Sequence, residues 1–291
     1  MSKIYRKETQ VWSKCLVFMV FFGLFFLQAG AVSHASIEKG KSALYLVSVG
    51  VGDADLITVR AINTIKRSDV LVCSKKAKEK FAEYLKGKEF LDSSIGSWRY
   101  YGKDCFKIKD KKKRARCEEN RKKRAKLISQ IRSAIAAGKA VAVLDSGDPL
   151  IYGPKAWYLE EFKDLNPIVI PGVSCFNAAN AALRKSITSG KETRSVVLTS
   201  RRDIEKMSAH HPTMVIFTMG TEFKDLIIRL TKLYSSQTPI GIVLYAGYKE
   251  KERVIRGTLK NIINKVGDEK LPFEHLIYVG DFLEQRMKKD R

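Results

Sequence analysis

Gly50 and Gly52 stand between an apolar run, Leu44 to Val49, and a segment carrying Asp55 and Thr58. Glycines there let backbone approach a ligand closely, because no Cβ obstructs the turn. A strand that feeds such a turn, with a helix leaving through Ala61 and Ile65, places it at the strand's carboxyl end, where open α/β sheets bind ligands. A plain tight turn has the same look, and the third glycine of a dinucleotide fingerprint is missing. The arrangement recurs, however. Val141–Leu144 reads as a buried strand ending in Ser146-Gly-Asp-Pro149, whose amides and Asp148 carboxylate face the same sheet edge. Ile168–Ile170 reads as another, followed by Pro171-Gly-Val-Ser174 and an alanine-rich helix from Cys175 to Leu183, with Ser174 as helix cap or ligand contact.

Other chemistries find little support. Four histidines, His34, His210, His211 and His275, lack His-Glu-x-x-His or similar metal spacing, and His210 and His211 before Pro212 read as surface loop. Five cysteines show no Cys-x-x-Cys pair, and only Cys105 and Cys117 lie in a region polar enough for a disulfide. No activated serine, cysteine or histidine pair is visible, so no catalytic residue and no metal ligand is assigned.

These turns need a folded body, and 45% hydrophobic residues across 291 positions is enough for two modest domains. A formal net charge of +23 favours polyanionic partners: nucleic acid, acidic lipid or a polycarboxylate. Residues 1–35 read as a leader. Lys3, Arg6, Lys7 and Lys14 precede an uncharged stretch from Cys15 to Ile37, and Ser33 and Ala35 hold small-residue cleavage positions. A signal peptide and an uncleaved membrane anchor both fit, and each places the body on the far, periplasmic side of a membrane; a misassigned start would leave it cytoplasmic.

The remainder reads as α/β in two domains: residues 41–190 with a parallel sheet and glycine-rich turns, and residues 191–291 with a mixed sheet. Asp69–Cys73 is a second strand, Lys75–Lys86 a helix, and Ala125–Ala137 a helix on Leu127, Ile128, Ile131 and Ile135. A basic insertion occupies residues 96–126. Within it, ten of the sixteen residues from Lys111 to Lys126 are Lys or Arg, which reads as a solvated helix face, a mobile loop or an electropositive rim. Strands follow at Ser195–Thr199, Met214–Thr218, Ile240–Tyr245, Arg253–Arg256 and His275–Val279, with a helix from Glu222 to Tyr234.

Taken together, Val-Gly-Val-Gly-Asp-Ala-Asp-Leu-Ile-Thr-Val-Arg-Ala, Ser-Gly-Asp-Pro-Leu-Ile-Tyr-Gly and Ile-Pro-Gly-Val-Ser resemble the tetrapyrrole methylase family, over roughly residues 43 to 283. Segments 196–200, 238–247 and 252–259 look most like its precorrin-4 and cobalt-precorrin-4 C11-methyltransferase branch. The resemblance implies two α/β domains, S-adenosylmethionine in the cleft between them, and a homodimer. By position it assigns cofactor contacts to Val51, to Ser146, Gly147, Asp148 and Ile151, to Ser174 and Cys175, and to Met219 and Gly247. Val51 stands where most cobalamin-pathway members carry proline.

Methyl transfer from a sulfonium needs alignment and a dry cleft more than strong acids, bases or metals. On this reading the nucleophile is a ring carbon of an anionic tetrapyrrole, and excess Lys and Arg suits its carboxylates. Two alternatives stay open: an exported tetrapyrrole carrier without turnover, and a nucleic-acid methyltransferase of the same superfamily. The second is less favoured, since no aromatic residue interleaves the basic run to stack bases.

Overall fold

A computed structural model of the chain describes residues 42–93, 98–218 and 222–284. Residues Gly40–Arg291 form one compact unit holding two five-stranded sheets. The expected leader at 1–35 lies outside the described residues, and among those described no helix is long and apolar enough to cross a membrane.

The first sheet contains β1 (Leu44–Ser48), β2 (Val70–Cys73), β3 (Glu89–Asp92), β4 (Val141–Asp145) and β5 (Ile168–Ile170) in the order β3-β2-β4-β1-β5. Every pairing is parallel. β1, β2 and β4 are buried at each residue, as expected for a parallel sheet covered on both faces. The register pairs Ser48 with Asp145 and Val47 with Ile170, so the turns after β1, β4 and β5 emerge along one edge.

Between these strands run α1 (Val59–Arg67), α2 (Lys75–Lys80), α3 (Lys111–Ala136), α4 (Trp157–Glu161) and α5 (Cys175–Leu183). Thr58 caps α1, its hydroxyl accepting the Ala61 N–H at 3.1 Å, and the helix buries Ala61, Thr64 and Ile65. The helix expected over Lys75–Lys86 is shorter. It stops at Lys80 because Phe81 turns into the core, and the chain tightens into a 3₁₀ turn over Ala82–Tyr84. The helix expected to begin at Ala125 instead begins at Lys111, so the basic run is helical throughout. Asp110 caps it at the Lys113 N–H (2.9 Å), and a Cys105–Cys117 disulfide joins it to the preceding loop. β3 was not anticipated; of its four residues only Leu91 is buried.

The second sheet holds β6 (Val196–Ser200), β7 (Thr213–Phe217), β8 (Pro239–Leu244), β9 (Arg253–Thr258) and β10 (His275–Val279), ordered β6-β7-β10-β8-β9. Only β6 and β7 run parallel, so the sheet is mixed, as expected. One face packs on α6 (Ile204–Ser208), α7 (Phe223–Thr231) and α8 (Ile262–Val266) through Ile204, Leu226, Leu230 and Ile262. The other face packs on α5, whose Ala179 and Leu183 meet Val215, Val243 and Tyr278. Tyr278 Oη also donates to Asn180 Oδ1 at 2.8 Å. α5 leaves a turn of the first sheet and packs on the second, so it couples the site to both layers.

Candidate cofactor site

Three loops meet at the carboxyl edge of the first sheet, and Ser48 joins them. Its side chain is buried at the end of β1, accepts the Gly50 N–H at 3.3 Å and donates to the Gly147 carbonyl. Gly172 lies against the same hydroxyl, closely enough that a Cβ at 172 would overlap it. The first two turns also bond directly. Gly147 N–H donates to the Gly50 carbonyl at 3.0 Å, and Ser146 Oγ reaches that oxygen at 3.4 Å. Gly50 and Gly147 both adopt positive φ, +72° and +75°, where an L side chain is strained. The convergence expected from sequence is therefore present, but its pivot is a serine that the apolar pattern of β1 concealed.

The turn after β4 is braced from below. Asp145 is 4% exposed, accepts the Ser146 N–H at Oδ1 (3.1 Å), and has Lys155 Nζ 3.7 Å away. Lys155 also donates to the Leu144 carbonyl. Burial pushes the Asp145 carboxyl up and the Lys155 ammonium down, while each partner's charge opposes the shift. Asp148 Oδ1 accepts the Leu150 N–H at 2.8 Å, so that oxygen holds the turn ahead of Pro149. Ser174 caps α5 through the Phe176 N–H at 2.9 Å, and Asn177 completes a capping box.

The second sheet closes on the first turn. Gly52 lies against Gly247, whose carbonyl accepts the Asp53 N–H at 2.9 Å. Lys249 returns the contact: its N–H donates to Asp53 Oδ2 at 2.9 Å and its Nζ pairs with Asp55 at 2.6 Å. Lys80 donates to the Gly52 carbonyl, and burial lowers the pKa of its ammonium. On the opposite side Tyr152 stacks on Phe217 with centroids 4.4 Å apart, and Ile151 packs into the second sheet's apolar cluster.

Of the residues singled out from sequence, Val51, Ser146, Gly147 and Asp148 thus lie on turns in direct contact, and Gly247 is brought to them across the sheets. Val51 Cγ1 would sit 3.4 Å from a Cβ at Gly147. Cys175 is half-buried at the start of α5, with its thiol pushed up by burial. Met219 lies outside the described residues. Ser48, Lys155 and Lys249 were missed, and Asp53, the acid that follows the glycine pair, was given no role; a serine in an apolar strand was the local signal for the first.

Known proteins share this fold. The chain is 27% identical over 251 residues, 82% of its length and 87% of the relative's, to a cobalt-precorrin-4 C(11)-methyltransferase of Methanocaldococcus jannaschii. The X-ray structure of a cobalt precorrin-4 methyltransferase superposes with a TM-score of 0.62 at 22% identity, covering 84% of this chain and 96% of that one. A Thermus thermophilus uroporphyrin-III C-methyltransferase solved with S-adenosyl homocysteine superposes at 0.59 with 18% identity, covering 83% and 93%. The sequence profile of the Tetrapyrrole (Corrin/Porphyrin) Methylases matches residues 43–263, a span that takes in all three converging turns and the Gly247 contact. The chain belongs to that family.

Proposed function

We propose that this tetrapyrrole methylase carries a methyl group from S-adenosylmethionine to a ring carbon of a precorrin-4-type macrocycle in corrin synthesis. The observation that carries the reading is the meeting of three turns on Ser48, facing a second sheet held to them by Gly247 and Lys249. The residues fit the cofactor. A Cβ at Gly147 would meet only Val51 within 4 Å, so the turn leaves room beside backbone. Leu150 and Tyr152, 55% and 39% exposed, offer apolar surface of the kind a purine covers, and Ser146 on the same turn is exposed.

When bound, the cofactor supplies an electrophilic methyl on a sulfonium. The protein's own contribution is alignment and exclusion of water. Ser48 fixes the distance between the first two turns, the Asp145–Lys155 pair fixes the second on its strand, and the Ser174 cap fixes the third on α5. On this reading Val51, Ser146, Gly147, Asp148, Ile151, Ser174, Cys175, Met219 and Gly247 line the cofactor. The family resemblance further suggests a homodimer. Export is supported by the Cys105–Cys117 disulfide, since such bonds persist in oxidising compartments.

Residues 40–291, given labelled methyl donor and a panel comprising uroporphyrinogen III, precorrin-4 and cobalt-precorrin-4, test the reading by product mass. One labelled methyl on a precorrin-4 substrate is expected. Macrocycle binding without transfer would favour the carrier alternative, and transfer only to uroporphyrinogen III would move the assignment to another branch.

A further inference from the structure

The basic half of α3 has no task in the site just described. The helix runs antiparallel to the strands of the first sheet: its end leads through Ala140 into β4, whereas Lys123, Lys126 and Leu127 line a groove with Phe90–Asp92 at the carboxyl end of β3. Lys111–Lys122 therefore rise past that edge, by about 18 Å at 1.5 Å per residue. Leu127 and Ile131 anchor the lower half in the core. The upper half is held rigid by other means: the Cys105–Cys117 disulfide, the Asp110 cap, and Arg114 Nε donating to the Ile108 carbonyl at 2.9 Å.

What this arm presents is cationic, with an exposed aromatic residue on the turn that the disulfide staples to it. Ten of sixteen residues from Lys111 to Lys126 are Lys or Arg against Glu118 and Glu119 alone, and Lys123 pairs with Glu119 at 2.6 Å. Beside it, on the 3₁₀ turn Cys105–Lys107, Phe106 is 70% exposed, with Lys103, Lys107 and Lys109 close in sequence. An exposed aromatic side chain flanked in sequence by lysines matches the boundary between lipid headgroups and acyl chains, where the ring enters and the ammonium groups stay with phosphates.

We infer that the disulfide-stapled arm formed by Cys105–Lys107 and Lys111–Lys122 docks the protein on an anionic phospholipid bilayer. Charge complementarity selects the acidic headgroup, and Phe106 selects a bilayer over a soluble polyanion. A polynucleotide, which the same charges would attract, is the outcome that the test separates from a bilayer. This surface is independent of the methyl-transfer reading, since it uses none of the residues placed at the cofactor site.

Flotation of residues 40–291 with vesicles of phosphatidylcholine, with and without phosphatidylglycerol, tests the inference. That fragment lacks the apolar segment near the amino end, which would otherwise bind lipid unaided. Binding is expected only with phosphatidylglycerol and should weaken with salt. The triple variant Lys111→Gln, Lys112→Gln, Lys113→Gln should lower partitioning about a hundredfold. Phe106→Ser should lower it about tenfold with the salt dependence unchanged, whereas Phe106→Trp should retain binding and shift its fluorescence to the blue on vesicles. All these side chains are exposed, and unchanged circular dichroism verifies folding. Equal binding to pure phosphatidylcholine, a triple variant that binds like the parent, or an RNA oligonucleotide that binds more tightly and strips the protein from vesicles would each overturn the inference.

Discussion

Replacing Gly52 by alanine puts a methyl group where the backbone of Gly247 already lies. The added Cβ would sit 2.6 Å from Gly247 Cα and closer still to its carbonyl, so no side-chain rotation relieves the overlap and the two sheets must part. Parting breaks the Asp53 N–H bond to the Gly247 carbonyl and the Lys249 N–H bond to the Asp53 carboxylate, both 2.9 Å. A neutral bond of this kind is worth about 1 kcal/mol and one to a charged group about 2. Gly52 also has φ +62°, which adds about 1 kcal/mol for any L residue. The expected loss is about 4 kcal/mol. Gly87 supplies the control: its φ is +72° and a Cβ there meets nothing within 4 Å, so Gly87→Ala should show only the backbone term, about 1 kcal/mol. Urea unfolding of both variants, compared at equal slope, isolates the contact. Losses equal within about 0.5 kcal/mol would refute the claim that Gly52 and Gly247 form the seam between the sheets.

Lys155→Met leaves the Asp145 carboxylate buried without its cation and should destabilise by about 3–5 kcal/mol; denaturation should show the double variant with Asp145→Asn recovering much of the loss. Reducing the Cys105–Cys117 bond should remove about 3 kcal/mol of loop-closure stabilisation, read as a lower Tm with dithiothreitol and as faster amide exchange in the first turns of α3. His275 is half-buried, its Nδ1 lies 2.5 Å from the Pro272 carbonyl, and desolvation lowers its pKa. Its contribution to stability is therefore full above the unfolded value of about 6.5 and declines as pH falls from there toward the folded value. Urea titrations from neutral pH downward should show that decline, and His275→Gln should flatten it.

Local signals in the sequence were enough wherever one stretch determines its own structure. Leu44–Val49, the two glycines and Thr58 define strand, turn and helix start within fifteen residues, and Ser174 marks the start of α5. The short β3 escaped notice because Glu89-Phe-Leu-Asp buries a single residue at a sheet edge and carries no clear period. The early start of α3 was hidden by its charge: apolar spacing begins only near Leu127, while the first three turns are held by Asp110 and a disulfide. Site residues divided in the same way. Glycines and the Asp-Pro turn announce themselves, whereas Lys249 reaches Asp53 across 196 positions and Lys155 acts through a buried carboxylate, neither of which has a local pattern. Ser48 is intermediate, visible as a polar residue in an apolar run but interpretable only once three turns are seen to meet on it.

The central claim is that those turns hold one adenosyl cofactor, and titration calorimetry of folded residues 40–291 with S-adenosylhomocysteine tests it most directly. Saturable binding of one molecule per chain is predicted, weakened at least about tenfold in a folded Ser48→Ala variant that has lost both hydrogen bonds between the turns. A folded parent protein that takes up no S-adenosylhomocysteine, or a variant that binds it as tightly as the parent, would contradict the account.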